Sequence, residues 1–140
     1  MVMITKKINQ ITLEASKKMG EGALKKAMEI KVPVVFSVVD NGGNLLYLER
    51  MDEAFVTSVD ISINKAFTAW ALKKGTNELS EVVLPGQSLY GLNLTNDSRI
   101  ITFGGGFPIL VDGEIVGAVG VSGGTVKEDM EIAKAALNSL

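Results

Sequence analysis

The stretch FGGGFPILVDGEIVGAVGVSGG, from Phe103 to Gly124, decides how the sheet of this protein is built. Within it, Phe107–Val111 and Ile115–Val121 are short runs rich in β-branched and aromatic residues, which favour strands. The residues between them, Asp112–Glu114, contain an Asp-Gly pair, a strong signal for a tight hairpin turn. The stretch therefore predicts two adjacent antiparallel strands. It also holds eight of the fifteen glycines, which need a further explanation.

Three other stretches predict strands. Val32–Asp40 and Leu45–Met51 flank the sequence DNGGN, whose Asn and Gly residues tolerate the positive φ of a hairpin turn. Arg99–Phe103 is a further short apolar run. Together with the hairpin above, these stretches predict a five-stranded, mainly antiparallel sheet.

Helical periodicity separates the strands. Apolar residues recur every three or four positions in residues 4–30 and in a helix that begins at Thr57 or Ser58, includes Phe67 and Trp70, and stops at Gly75. Thr76–Val83 predicts a short helix, and Thr125 caps a last one. Because the strands come in hairpins and do not alternate with helices, we expect an α+β fold. Residues 1–140 fit one domain.

The composition narrows the classes of function. The net charge of −2 argues against a nucleic-acid partner, and no apolar run reaches the roughly 18 residues of a membrane span. The N-terminus lacks a signal-peptide pattern, so we expect a cytoplasmic protein without a membrane partner. The chain has no cysteine and no histidine. Thiolate chemistry is therefore excluded, the commonest metal ligand is missing, and we predict no metal site.

The glycines do not form a known phosphate-binding motif. No placement of them satisfies Gly-x4-Gly-Lys-Ser/Thr, and Ile109 stands where Gly-x-Gly-x-x-Gly needs its third glycine. An anion site stays open at Ser122–Thr125, because these residues lie between a strand and a helix N-terminus. Gly104–Gly106 predict a backbone surface without side chains, against which a planar ligand or a neighbouring element packs.

Carboxylates, lysines, arginines and hydroxyls are the side chains left for chemistry. Arg50 and Asp52 stand at alternate positions of a strand end and share one face. Such a pair usually fixes a loop or a subunit contact. Lys65 lies close to the apolar stripe of its helix, so it needs a partner, and Asp52 or a ligand carboxylate are the candidates. No known catalytic triad or dyad is present in the sequence.

Several motifs together resemble one family. The stretches VVDNGGNLLYLERMD, NKAFTA, LYGL and FGGGFPILVDGEIVGAVGVSGG, followed by Asp129, are similar in order and spacing to the GlcG/HbpS family. This is the family of the haem-binding-protein-like domain, which is also found at the C-terminus of PduO-type adenosyltransferases. The resemblance covers residues 4–140. It implies a central antiparallel sheet with helices around it, homo-oligomers such as tetramers or octamers, and a haem or corrinoid ligand for some members.

The resemblance and the glycine stretch together mark residues for a ligand pocket or a subunit interface. These are Arg50, Asp52, Lys65, Thr68, Gly104, Gly105, Gly106, Pro108 and Ser122. Haem-binding relatives are expected to hold the iron with a histidine, which this chain lacks. Met19, Met28, Tyr47 or a lysine would have to take its place.

Three functions follow as hypotheses, and the first is favoured. It is an oligomeric module that binds a small ligand, tetrapyrrole or corrinoid, in a glycolate, diol or glycerol utilisation pathway. The second is an enzyme acting on a small carboxylate or aldehyde, with Lys65 as electrophile or anchor and Asp52 as proton carrier. The third is a structural partner of a metabolic enzyme. Catalytic residues stay unassigned.

Overall fold

Four antiparallel strands form the centre of the protein in a computed structural model that describes residues 1–140. β1 (Val35–Val39) and β2 (Leu45–Arg50) form one hairpin, and β3 (Gly106–Val111) and β4 (Glu114–Ser122) form the other. The hairpins join through β1 and β4, which gives the strand order β2-β1-β4-β3. Both hairpins predicted from the sequence are confirmed.

Three α-helices cover the sheet. α1 (Leu13–Ile30) and α3 (Val126–Asn138) pack on each other and on one face, and α2 (Thr57–Leu72) packs on the other. The alternation of β1 shows the two faces, because Val38 joins the core under α1 and α3 whereas Val39 joins the smaller core under α2. The fold is therefore α+β, as predicted. No helix of the chain is both long and apolar enough to cross a membrane.

The ends of the helices differ in part from the sequence prediction. The first helix is shorter than predicted, because it begins at Leu13 behind Thr12, whose hydroxyl accepts a hydrogen bond from the Ala15 N–H at 3.1 Å. The last helix has the predicted cap: the Thr125 hydroxyl accepts from the Glu128 N–H at 3.2 Å. Residues 76–79 form a short 3-10 helix.

The predicted fifth strand, Arg99–Phe103, is wrong. These residues form no strand, and a side chain of α2 takes the place of a strand partner. The Thr68 hydroxyl donates to the Arg99 carbonyl at 3.2 Å and accepts from the Ile101 N–H at 3.0 Å. Because the backbone is satisfied in this way, the segment lies beside the sheet without joining it.

α2 lies close to the sheet because small residues line both surfaces. Gly120 of β4 lies directly under the backbone of Ser62, so that a Cβ at this position would overlap the Ser62 carbonyl. The hydroxyls of Ser37 and Ser62 form a buried hydrogen bond of 2.7 Å between β1 and α2. Small and hydroxyl side chains therefore set the distance between this helix and the sheet.

The two ends of the sheet have different surroundings, and we name them here. The turn end carries both hairpin turns, at residues 40–44 and 112–113. The glycine end carries Gly104–Gly106, which lead into β3, and residues 122–124, which close β4. α2 connects the ends. Its first turn places the Ser58 hydroxyl 3.1 Å from that of Ser122, and its last turn places the Trp70 indole N–H against Asn41.

Candidate functional site

Lys65 is a fully buried lysine at the glycine end. Its side chain extends from α2 past the end of the sheet to α3, where Nζ lies 2.9 Å from Oδ2 of Asp129. Nζ also donates to the Val121 carbonyl at 2.8 Å and lies 5.1 Å from the centre of the Phe103 ring. Oδ1 of Asp129 accepts from the Gly124 N–H at 2.8 Å. The ion pair therefore ties together two helices that cover opposite faces of the sheet.

Burial shifts the protonation equilibria of both members of this pair. Loss of water lowers the pKa of Lys65 and raises the pKa of Asp129, and in each case the mutual attraction and the hydrogen bond act in the opposite direction. The partner of Lys65 is therefore Asp129, and Asp52, one of the two candidates from the sequence, is exposed and takes part in none of the three ion pairs. Lys65 and Asp52 therefore do not form the pair that the enzyme hypothesis requires.

The three glycines Gly104–Gly106, of which the last begins β3, pack against the protein's own atoms. A Cβ on Gly105 would lie 2.6 Å from Nζ of Lys65, and the φ of +129° at Gly105 also favours glycine. A Cβ on Gly104 would lie 2.6 Å from Sδ of Met130, and one on Gly106 would overlap the Lys65 carbonyl. The backbone surface predicted from these glycines is present, and Lys65 and α3 cover it.

The other residues marked by the sequence are spread around the glycine end and along α2. Arg50 donates from Nη2 to the Ala54 carbonyl at 3.0 Å, and with Asp52 it lines an open cleft of about 440 Å³. Ser122 is buried against Ser58. Thr68 holds the segment after Arg99, as described above, and Pro108 is half-buried in β3. The structure therefore brings Lys65 and the glycines together but leaves the rest in separate surroundings.

A larger cleft lies at the turn end, and we call it the Trp70 cleft. Its volume is about 750 Å³, which is within the range of small-molecule sites. The end of α2, the β1–β2 turn, the β3–β4 turn and the segment before α1 form its walls. The side chains that give it chemical character are Lys6, Lys7, Phe67, Trp70, Lys73 and Glu114.

The aromatic rings of this cleft are held in place by the fold. The Trp70 indole N–H donates to Oδ1 of Asn41 at 3.0 Å, and the ring lies against Gly43, where a Cβ would come within 2.6 Å of it. The Phe67 ring lies 6.0 Å from that of Trp70, and the Arg99 guanidinium lies 3.6 Å from the centre of the Phe67 ring. The two rings are tilted by 46° to each other and Arg99 covers a face of Phe67, so the ring of Trp70 is the fixed aromatic platform of the cleft.

The charged groups around the platform are mainly positive. Lys6, Lys7 and Lys73 are exposed and take part in none of the ion pairs of the chain. The single carboxylate among the lining residues, Glu114, accepts a hydrogen bond from Nδ2 of Asn9 at 3.0 Å. Three ammonium groups against one carboxylate favour an anionic ligand, and the platform favours one with a flat apolar body.

Sequence reasoning missed this cleft. It placed Phe67 and Trp70 in the apolar stripe of α2, where their spacing fits a helix that faces the core. One local signal was available: the only tryptophan of the chain lies three residues before Lys73 and four before Lys74. Residues from the segment before α1 and from the β3–β4 turn complete the cleft, and only the tertiary structure brings these together.

Comparison with known proteins identifies the family. The family described as "Haem degrading protein HbpS-like" matches residues 11–138. An uncharacterized 15.0 kDa protein of the dhaT-dhaS intergenic region of Citrobacter freundii is 58% identical over 96% of this chain and 94% of its own length. The corrinoid adenosyltransferase PduO of Salmonella typhimurium is 42% identical over 84% of this chain, which spans 35% of PduO.

Solved structures agree with this assignment. The Klebsiella pneumoniae protein ORFY is 55% identical with a TM-score of 0.98, and the alignment covers 99% of this chain and 96% of ORFY. The PduOC–haem complex is 38% identical with a TM-score of 0.90, and the alignment covers 95% of this chain and 96% of PduOC. With its four-stranded sheet, its three helices and a family match over nearly its whole length, the chain belongs to the HbpS-like family.

Proposed function

We propose that this protein is a ligand-binding module that holds a planar, anionic tetrapyrrole of the haem class in the Trp70 cleft. One observation carries the proposal: a single cleft of about 750 Å³ combines a fixed aromatic platform with three exposed lysines. Aromatic rings stack on a flat macrocycle. Lysine ammonium groups attract the carboxylates on its edge. The similarity to the PduOC–haem complex supports the ligand class.

Corrinoids are the second ligand class that the relatives suggest, since PduO is a corrinoid adenosyltransferase. Most side chains at the edge of cobalamin are amides, whereas haem carries two carboxylates. Because the cleft presents Lys6, Lys7 and Lys73, its charge favours haem over cobalamin. The same titration with each compound separates the two classes.

The residues fit the macrocycle and its carboxylates, but three of the side chains considered as replacements for an iron-binding histidine, Met19, Met28 and Tyr47, lie elsewhere, and only lysines of that set line the cleft. Met19 is fully buried in the core under α1, and Met28 lies exposed on α1. Tyr47 lies on β2 and packs against Gly20. None of these three is among the residues that line the Trp70 cleft.

We further propose that the protein acts in the cytoplasm as an accessory tetramer or octamer of a glycolate, diol or glycerol utilisation pathway. The similarity to PduO and to the protein of the dhaT-dhaS intergenic region supports a role associated with a metabolic pathway. The exposed apolar side chains of Leu84, Leu89, Tyr90 and Leu94 support assembly, because such groups are usually covered in a stable complex. Sedimentation of the purified chain tests this, and a monomer at all concentrations would contradict it.

The exposed apolar side chains between Leu84 and Leu94 also favour a second candidate function, that of a structural partner of a metabolic enzyme. The two candidates differ in what covers Leu84–Leu94. Copies of the chain bury the loop if the protein is a ligand-binding oligomer on its own. Another protein buries it if the chain is an accessory subunit, and the purified chain then stays monomeric and binds no tetrapyrrole.

The central experiment is a titration of the protein with haemin, followed through tryptophan fluorescence. Trp70 is the only tryptophan in the chain, so its quenching reports haemin bound to the protein, and the affinity of Trp70→Leu assigns the bound ligand to this cleft. We expect saturable quenching with one haemin per chain. The same titration of N-acetyltryptophanamide corrects for light absorbed by haemin. Quenching that matches this control throughout the titration would rule out the proposal.

A further inference from the structure

We propose that the Trp70 cleft recognises the macrocycle and its carboxylates and not the metal, so that a metal-free porphyrin binds as tightly as haemin. The inference rests on the proposed function and names the part of the ligand that the protein recognises. Three observations carry it: the donor atoms in the cleft, the fixed aromatic platform and the balance of charge.

The donor atoms around the cleft are unsuited to hold haem iron. The chain contains neither histidine nor cysteine, and protonated lysine ammonium groups have no lone pair to give. The amide oxygen of Asn41 already accepts from Trp70. One oxygen of the Glu114 carboxylate, Oε2, accepts from Asn9, and a carboxylate is not among the usual protein ligands of haem iron. A ligand in this cleft therefore gains its free energy of binding from contacts other than a bond to the metal.

The platform supplies such a contact without regard to the metal. Trp70 is fixed by its hydrogen bond to Asn41 and by the close approach of Gly43. An aromatic surface that is already in position loses little conformational entropy when a flat ring stacks on it. Porphyrins with and without iron have the same flat apolar ring, so stacking contributes similarly for both.

The charge balance supplies the second contact. Lys6, Lys7 and Lys73 exceed the single carboxylate of Glu114 by two charges, three minus one. Haem and protoporphyrin each carry two carboxylates on one edge. The two excess positive charges of the cleft complement the two negative charges on this edge of the macrocycle. The edge is the same whether or not the ring holds a metal.

Three ligands separate these contributions: haemin, protoporphyrin IX, and haemin whose two carboxylates are methyl esters. Each is titrated into the whole protein and followed through Trp70 fluorescence. We expect the Kd values of haemin and protoporphyrin IX to agree within about threefold, and the Kd of the diester to be at least about tenfold higher, since two charge-assisted contacts are lost. Protoporphyrin IX more than about tenfold weaker than haemin would overturn the inference and leave the proposed function in place. No binding of any of the three would overturn the proposed function itself.

Matched variants locate the contact. Lys73→Met removes a lysine from the cleft, and Lys74→Met removes its exposed neighbour, which does not line it. We expect Lys73→Met to weaken haemin and protoporphyrin IX equally, by about two- to fivefold, and Lys74→Met to leave both unchanged. Loss of haemin binding alone in Lys73→Met or in Glu114→Gln would identify an iron ligand and overturn the inference.

Discussion

The two ends of the sheet hold lysines in opposite situations. At the glycine end, Lys65 is fully buried, and its ammonium group bonds to Asp129 and to the Val121 carbonyl. At the turn end, Lys6, Lys7 and Lys73 are exposed beside Trp70 and take part in no ion pair. The same residue type therefore joins two helices at one end and is free to meet a ligand at the other.

This difference separates two roles of a charged side chain, one in stability and one in binding. A buried ion pair that is fully hydrogen-bonded is costly to break, because either partner alone is left as an uncompensated charge. An exposed lysine contributes little to the free energy of unfolding but changes the local electrostatic potential. Substitutions at the glycine end should therefore affect stability, and substitutions at the turn end should affect binding.

The largest effect is expected from Lys65→Met. The carboxylate of Asp129 would stay buried without its counter-charge, so the free energy of unfolding should fall by about 3–5 kcal/mol. Urea denaturation at neutral pH measures this. Lys26→Met removes a partner of two half-exposed ion pairs and serves as control, with an expected loss of no more than about 1 kcal/mol. Equal losses in the two variants would show that Lys65 does not tie α2 to α3.

The pH dependence of the same variant tests the cause of the loss. Burial already raises the pKa of Asp129, and removal of Lys65 raises it further. The folded protein then binds a proton at a pH where the unfolded chain does not, so stability rises as the pH falls through the raised pKa. Relative to the wild type, Lys65→Met should therefore recover stability on mild acidification. A constant difference across this range would contradict an unpaired buried carboxylate.

A smaller effect is expected from a methyl group at the glycine end. In Gly106→Ala the new Cβ would overlap the carbonyl of Lys65, and the backbone must shift to make room. The expected loss is about 1–3 kcal/mol. Gly42→Ala at the turn end is the matched control, because its nearest neighbours are side-chain atoms at 3.1 and 3.3 Å. This control should change stability by about 0.5 kcal/mol or less, and a similar loss in both would remove the distinction between the ends.

At the turn end, Trp70→Leu should act on binding. The leucine side chain keeps apolar contact but offers no flat ring for stacking. We expect the affinity for haemin to fall by about tenfold, roughly 1.4 kcal/mol. Because the fluorophore is lost, the absorbance band of haemin is the readout, and circular dichroism confirms that the variant is folded. Unchanged affinity would place the ligand outside the Trp70 cleft.

Local signals predicted much of the fold. The turn at Asp112 and Gly113 and the cap at Thr125 need only neighbouring residues, and both hairpins and the last helix are confirmed. The strand predicted at Arg99–Phe103 was wrong because an apolar run looks the same whether its backbone bonds to a strand or, as here, to the hydroxyl of Thr68. The distinction depends on tertiary structure.

The two sites could not be predicted in the same way, because they are formed by contacts between residues that are distant in sequence. The sequence predicted that Lys65 needs a partner, but Asp129 lies 64 residues further along the chain. Gly105 was expected to face a ligand or a neighbouring element, and the neighbour is Lys65. The Trp70 cleft combines separate segments, of which only the last turns of α2 carry a local signal. Helical periodicity placed Trp70 with the core, and the ring does pack against the smaller core under α2, but periodicity does not show that it also lines a cleft.

A change in salt concentration should have the smallest effect, and it distinguishes the turn end of the sheet from the glycine end most directly. Raising the ionic strength from about 0.01 to about 0.1 M shortens the Debye length from about 30 to about 10 Å. The exposed lysines of the Trp70 cleft are screened, so the Kd of haemin should rise by about two- to fivefold. The buried pair of Lys65 and Asp129 is shielded from the ions. The stability difference between the wild type and Lys65→Met should then stay within about 0.5 kcal/mol. Salt dependence of that difference, with none in haemin binding, would assign the opposite roles to the two ends.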